Sequence, residues 1–89
     1  MSDAEPYRIV CQLLNEEAVR PYEQLATRVG QPPQSHDHYI DGLPAEVEVA
    51  VEWKKEVGGD LVLVARLYGT GTWYTERYEE RVTVCRPEH

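Results

Sequence analysis

The residues best suited to chemistry form a short cluster of two histidines and two aspartates, His36, Asp37, His38 and Asp41. Two imidazoles two residues apart can share a transition metal ion when the backbone between them is extended. The chain offers no convincing third and fourth ligand, because its remaining histidine, His89, is distant in sequence. We therefore predict a solvated polar segment without a metal or other cofactor, whose imidazoles change charge near neutral pH.

No other spacing indicates a catalytic site. The chain has no glycine-rich phosphate loop and no nucleophile elbow, and neither Cys11 nor Cys85 has a histidine close to it in sequence. Cys11 falls on the apolar side of a predicted helix, where a small buried thiol is expected. A disulfide between the two cysteines is geometrically possible, but two reduced thiols are the expected state. We predict that the protein is not an enzyme.

The charge of the chain limits its partners. Sixteen acidic residues against nine basic ones give a net charge of −7. Affinity for nucleic acid depends on lysine and arginine side chains that replace phosphate counterions, so this charge disfavours nucleic acid and favours a basic protein. No apolar run approaches the roughly 20 residues of a membrane helix, and the acidic start lacks a secretory signal. We therefore expect a cytoplasmic protein with no membrane partner.

The elements that position these residues begin with a helical half, residues 5–43. The first helix, over residues 5–18, is predicted from the apolar stripe of Tyr7, Val10, Cys11, Leu14 and Ala18. Pro21 can open a second helix and Gly30 can close it with a left-handed cap. Ser35 can cap a short third helix that continues through Asp41.

A strand half follows over residues 46–85, where the apolar period changes from 3.6 to 2. Gly58-Gly59 suits a tight hairpin turn and Gly69-Thr70-Gly71 a second turn, which predicts three antiparallel strands. The residues expected to face the helices are Val47, Val49, Val51, Trp53, Leu61, Leu63, Ala65, Leu67, Tyr78, Val82 and Val84. We predict one domain, residues 1–89, of the α+β class, with two or three N-terminal helices packed on a three-stranded antiparallel β-meander.

The opposite face of the predicted meander is a candidate contact surface. Its centre carries Val62, Val64, Arg66 and Tyr68, and charged residues flank this centre on both sides. Since opposite charges across strands stabilise one another by about 0.2–1 kcal/mol, a solvated face is one interpretation. The other is a protein-binding patch, apolar at its centre and rimmed by charge, on which two copies could pair. In that case a charge at Val64 would separate the copies without unfolding them.

Trp73 is a second candidate for protein contact. It follows the predicted turn at Gly69-Thr70-Gly71, near a hairpin tip, where a large aromatic ring is exposed unless another element covers it. Tryptophan is enriched among the residues that dominate binding energy at interfaces. Asp37 and Asp41 complete the set of predicted protein-binding residues, because a basic partner would contact carboxylates.

The second predicted helix, Tyr22 to Gly30, has a small residue at Ala26 that permits two helices to approach closely and a glycine that permits a tight turn. Over residues 6–68, this spacing and the hairpin that follows resemble bacterial winged helix-turn-helix domains. The resemblance implies a DNA-binding transcriptional regulator, with Arg20, Arg28, Lys54 and Lys55 as the residues that would contact DNA. Its recognition helix would be the segment from Ser35 to Asp41, which contains neither lysine nor arginine.

The leading functional hypothesis is a small, acidic, non-enzymatic protein that binds a basic, nucleic-acid-handling protein. Inhibitors, anti-defence proteins such as anti-CRISPR proteins, and immunity proteins belong to this class, in which carboxylates occupy positions that phosphates would take. The alternative is the winged-helix-like regulator. The placement of the basic residues distinguishes the two hypotheses, because a regulator needs them on the same face as the recognition helix.

Overall fold

A computed structural model describes residues 4–40, 42–69 and 77–87. Two helices, α1 (Ala4–Ala18) and α2 (Tyr22–Ala26), precede four strands, β1 (Gln34–Ile40), β2 (Leu43–Trp53), β3 (Leu61–Gly69) and β4 (Arg77–Val84). The strands form one antiparallel sheet in the order β1-β2-β3-β4, so strands that are consecutive in the chain are paired. This arrangement confirms the predicted α+β class, but the sheet has four strands where three were predicted.

β1 takes the place of the predicted third helix, so the prediction of a helix from Ser35 through Asp41 is wrong. β1 pairs with β2 from Gln34 opposite Val49 to Ile40 opposite Leu43. A helix of seven residues would leave most of its backbone N–H and C=O groups without intrahelical partners, whereas the ladder with β2 supplies partners. The prolines that precede β1 also favour extended backbone. The predicted helical half, 5–43, therefore gives way to strand from residue 34.

The two helices follow their sequence signals to different extents. α1 begins one residue before its predicted start and ends where predicted, at Ala18. α2 ends at Ala26, four residues before Gly30, and the chain continues through turns to Gly30, whose φ is 84°. The backbone N–H groups of Arg28 and Val29 donate to the carbonyls of Leu25 and Ala26, three residues earlier. Such tighter bonds commonly close a helix whose last carbonyls lack partners.

The core lies between the helices and the inner face of the sheet. α1 packs on β3 and β4, and α2 lies against β2. Leu25, Leu61, Leu63, Leu67, Val10, Val47 and Val49 are fully buried. Each such side chain contributes about 1.5–3 kcal/mol relative to an exposed position. The inward alternation predicted for β2 and β3 is confirmed, and Trp53, Val82 and Val84 pack half-buried at the margin of this core.

The loop between β2 and β3 confirms the predicted antiparallel hairpin but is longer than a tight turn. It spans residues 54–60, and it is closed by a 2.9 Å bond from the Lys54 N–H to the Asp60 carbonyl. Gly58 has a φ of 86°, a conformation that favours glycine. The predicted second turn lies mostly outside the described residues, and the third predicted strand is described from Arg77 onward, as β4.

Both cysteines are free thiols, with Cys11 half-buried and Cys85 exposed. Within the described part of the chain, no helix is long and apolar enough to cross a membrane.

Candidate functional site

The outer face of the sheet, turned away from the helices, is built from the residues that alternate with the core. Strand register brings residues from all four strands into rows across this face. One row runs from Ser35 through Glu48 and Arg66 to Glu79. A second row contains Asp37, Glu46 and Tyr68. The predicted contact residues Arg66 and Tyr68 therefore share a face with Asp37, the carboxylate that the added strand β1 brings in.

The half of this face formed by β1 and β2 is acidic, and we call it the acidic ribbon. Its carboxylates are Asp37, Glu46, Glu48 and Glu52. Neither strand contains a lysine or an arginine. Asp37 lies directly opposite Glu46, and like charges in that position destabilise a sheet. Glu46 accepts a hydrogen bond from the Ser35 hydroxyl, but none of the four carboxylates forms an ion pair among the described residues.

The half formed by β3 and β4 carries an ion-paired cluster that we call the arginine network, Arg66, Glu79 and Arg81. Arg66 Nε lies 2.9 Å from Glu79 Oε1, and Arg81 Nη2 lies 3.0 Å from Glu79 Oε2. Hydrogen bonds from Arg66 and Arg81 hold the pKa of Glu79 below its ordinary value. The bond to Glu79 likewise raises the pKa of Arg66. Arg66 therefore already forms an ion pair with Glu79 of the same chain.

The centre of the outer face is less open than its sequence suggests. Val64 is fully buried within a single chain although it faces away from the helical core. By register it lies between Ala50 on β2 and Arg81 on β4. Val62 and Tyr68 are half-buried. A partner would therefore meet mainly charged side chains here, with Val62 and Tyr68 offering the remaining apolar surface.

Tyr39 is an exposed aromatic residue at one end of the acidic ribbon that the sequence reasoning did not identify as a contact residue. Its side chain is 71% exposed. It lies two residues from Asp37 on β1, which places both side chains on the same face, and its register partner is Pro44. The predicted helix did not indicate that Asp37 and Tyr39 share a face, because side chains two residues apart on a helix do not lie on the same side. Trp73 and Asp41, the other predicted contact residues, lie outside the described residues.

The basic residues predicted for DNA contact are dispersed among carboxylates. Arg28 Nη1 and Arg20 Nε lie 2.5 and 3.0 Å from the same oxygen of Glu17. Glu17 is only 4% exposed. Burial would raise its pKa, but hydrogen bonds from Arg28 and Arg20 outweigh this effect and lower it. Both arginines therefore serve to neutralise a buried acid.

The two lysines predicted for DNA contact, Lys54 and Lys55, lie in the loop between β2 and β3. They line a small hollow together with Glu56 and Asp60. Asp60 also accepts a hydrogen bond from the Arg86 backbone N–H. The segment predicted to recognise DNA as a helix is itself strand β1.

The histidines of the central cluster lie on the inner side of β1. His36 is opposite Val47 and His38 is opposite Ala45, both of which are buried inner-face residues. Asp37 points to the outer face, so the strand separates the two imidazoles from the carboxylate between them. No group of three or more potential metal ligands occurs among the described residues.

Comparisons with known proteins add no functional information. A scan against protein-family models gives no match, and searches of curated proteins and of solved structures give none either. Function must therefore be argued from the geometry and charge of this chain.

Proposed function

We propose that this chain is a non-enzymatic binding protein whose acidic ribbon engages a basic region of another protein. The observation that carries the proposal is the excess of negative charge on the ribbon, which remains although Arg66 on β3 lies directly opposite Glu48. Asp37 and Glu46 face each other directly, Glu48 and Glu52 continue along β2, and neither strand supplies a cation. Because directly opposed carboxylates disfavour folding slightly, an external cation bound between them would stabilise the sheet.

The physics of association supports a basic protein partner. Clustered carboxylates create a negative potential that accelerates the encounter with a cationic surface. The net charge of −7 extends this attraction beyond the ribbon. A surface built to hold nucleic acid has the required sign, and carboxylates on an extended ribbon can occupy positions that backbone phosphates would otherwise take. Inhibitors of nucleic-acid-handling proteins, including anti-defence and immunity proteins, are the class that fits this chemistry.

Tyr39 supplies a contact of a different kind at the end of the ribbon. An exposed tyrosine offers a rigid apolar ring with a polar tip, and tyrosine is enriched among the residues that dominate interface energies. A lysine or arginine of the partner can also lie over the ring, which contributes about 0.5–1 kcal/mol at an exposed site. We therefore propose that Tyr39 contributes most of the contact energy with the partner. The carboxylates would attract the basic partner and fix its position along the ribbon.

The experiment is affinity capture from nuclease-treated lysate of the source organism, with a matched pair of charge variants. The ribbon variant carries Glu46→Gln, Glu48→Gln and Glu52→Gln. The control variant carries Glu16→Gln, Glu23→Gln and Glu56→Gln, which remove the same charge from exposed glutamates elsewhere. The proposal predicts a basic protein that the wild type and the control retain and the ribbon variant loses.

Two results would contradict the proposal. One is equal retention of the same protein by the ribbon and control variants, because net charge alone would then explain binding. The other is a complex that disappears on nuclease treatment, since nucleic acid would then hold it together. Tyr39→Ala provides the second test, with a larger loss of affinity expected than for Tyr7→Ala, another exposed tyrosine, on α1.

A further inference from the structure

We propose that His36 and His38 form a two-imidazole chelate for a divalent transition metal ion on the inner side of β1. The condition for such a chelate is extended backbone, because residues two apart on a strand project from the same face. The structure meets this condition, since both residues lie within β1 and pair with inner-face residues of β2. Their Cα atoms are then roughly 6.5 Å apart along the strand, within reach of two imidazoles converging on one ion.

An unsatisfied polar atom points to the ligand independently. The Nε2 atom of His36 is buried and has no hydrogen-bond partner. A buried polar atom without a partner destabilises a protein by about 1–3 kcal/mol, and such atoms in native structures call for an explanation such as an ion or water. A neutral imidazole whose other nitrogen carries the proton presents a lone pair at Nε2, which is a metal ligand.

The surroundings favour a transition metal over a hard cation. The register partners of the two histidines are the apolar residues Val47 and Ala45, and the carboxylate of Asp37 projects from the opposite face. Imidazole suits zinc, copper and nickel, whereas calcium and magnesium require oxygen ligands. The described residues contain no group of three potential metal ligands, so the two imidazoles alone would hold the ion, and we expect weak binding.

The test is a titration of the purified chain with Zn²⁺ alone near pH 7.5, followed by NMR of the histidine side-chain nitrogens. We expect the signals of His36 and His38 to shift together and to saturate at one ion per chain, while the signal of His89 does not shift. This measurement requires no variant, so it does not depend on any substitution folding correctly.

Substitutions then separate a strand chelate from a flexible one. His36→Asn and His38→Asn should each abolish Zn²⁺ binding measured by competition with a chromophoric chelator, and His89→Asn should leave it unchanged. Asp37→Asn is the decisive control. A flexible His-Asp-His segment would use all three side chains, whereas on β1 the aspartate lies on the other face and its removal should have no effect.

The proposal is overturned by any of four results. They are no shift of the histidine signals, loss of binding in Asp37→Asn equal to that in the histidine variants, dependence of binding on His89, or one ion shared by two chains.

Discussion

The two halves of the outer sheet face arrange their charges in opposite ways. On β3 and β4, Glu79 lies between two arginines, within 3.0 Å of each. On β1 and β2, four carboxylates share a surface with no cation on either strand, and two of them are directly opposite each other. The same sheet therefore carries one region whose carboxylate is ion-paired with arginines and one whose carboxylates form no ion pair among the described residues.

The difference separates charges that serve folding from charges available to a partner. A carboxylate already bonded to arginine offers little to a cationic partner, because the partner must displace an existing bond. An unpaired carboxylate offers its full charge and contributes nothing to stability, or reduces it. Glu17, buried between Arg20 and Arg28, is the extreme case of the first kind. Substitutions in the two kinds of region should thus affect different properties.

The largest effect is expected where the two halves meet, at Val64. Val64→Lys places a charge at a fully buried position opposite Arg81, and we expect the free energy of unfolding to fall by more than about 3 kcal/mol. Val62→Lys is the matched variant, because Val62 is half-buried and its cross-strand neighbour is Glu52. Its cost should be about 1 kcal/mol. Urea denaturation of both variants measures the difference.

Sedimentation of the same variants tests the homodimer through this face. If two copies pair through this face, as one interpretation of the sequence has it, a charge at Val64 separates them without unfolding either. Because Val64 is buried within a single chain, we expect the charge to unfold the chain instead. A folded, monomeric Val64→Lys protein derived from a dimeric wild type would restore the dimer hypothesis and contradict our interpretation of this position.

The second effect concerns the buried acid Glu17. Glu17→Gln removes the charge that neutralises Arg28 and Arg20, so we expect a loss of about 2–3 kcal/mol in the free energy of unfolding at neutral pH. Glu16→Gln on the exposed side of α1 is the control and should change stability little. A similar loss in both variants would mean that charge on α1, rather than the buried pair, is responsible.

The pH dependence of this difference has a definite sign. The folded state lowers the pKa of Glu17, so its contribution is fully present above the unfolded-state value of about 4.3. The contribution is lost as the pH falls through the lower, folded-state pKa. The stability difference between wild type and Glu17→Gln should therefore be constant near neutral pH and should shrink in acid. A difference that grew on acidification would contradict the assignment.

The smallest effects compare the two halves directly. Glu46→Gln should unfold at a higher urea concentration than the wild type, since it relieves the repulsion between Glu46 and Asp37, which for directly opposed charges is worth about 0.2–1 kcal/mol. Glu79→Gln should unfold at a lower one, because Arg66 and Arg81 lose their partner. Both differences should diminish at 1 M salt, where the screening length is about 3 Å. Shifts in the same direction would refute the contrast between the halves.

The parts of the fold that sequence predicts well are those whose pattern is local. The alternation in β2 and β3 repeats over several residues and matches the observed core, and the apolar stripe of α1 matches it at Val10 and Leu14 but not at Tyr7, which is exposed. The pair Gly58-Gly59 correctly predicts a connection between antiparallel strands. α2 is shorter than its proline and glycine signals suggest, because those residues mark where a helix can start and stop, not how far regular bonding extends.

The candidate site could be predicted only in part, and the reason is β1. Gln34–Ile40 contains no apolar alternation, since its inner positions include two histidines and its outer positions a serine, an aspartate and a tyrosine. Its strand conformation comes from pairing with β2 and not from its own pattern. The sequence analysis placed Arg66 and Tyr68 on the outer face of the sheet but Asp37 on a helix, so the relation of Asp37 to Glu46 depends on that pairing.

By itself, the sequence determined the α+β class, the inner faces of β2 and β3, and the excess of negative charge, because composition and short periodicities express these properties directly. Tertiary structure decided which charges remain unpaired. Along the row from Ser35 to Glu79, cross-strand pairing joins neighbours that are 13 to 18 positions apart in the chain, and no local pattern encodes such separations. For the same reason, only the pairing of β1 with β2 places two histidines on one face of a strand and a line of carboxylates on the other.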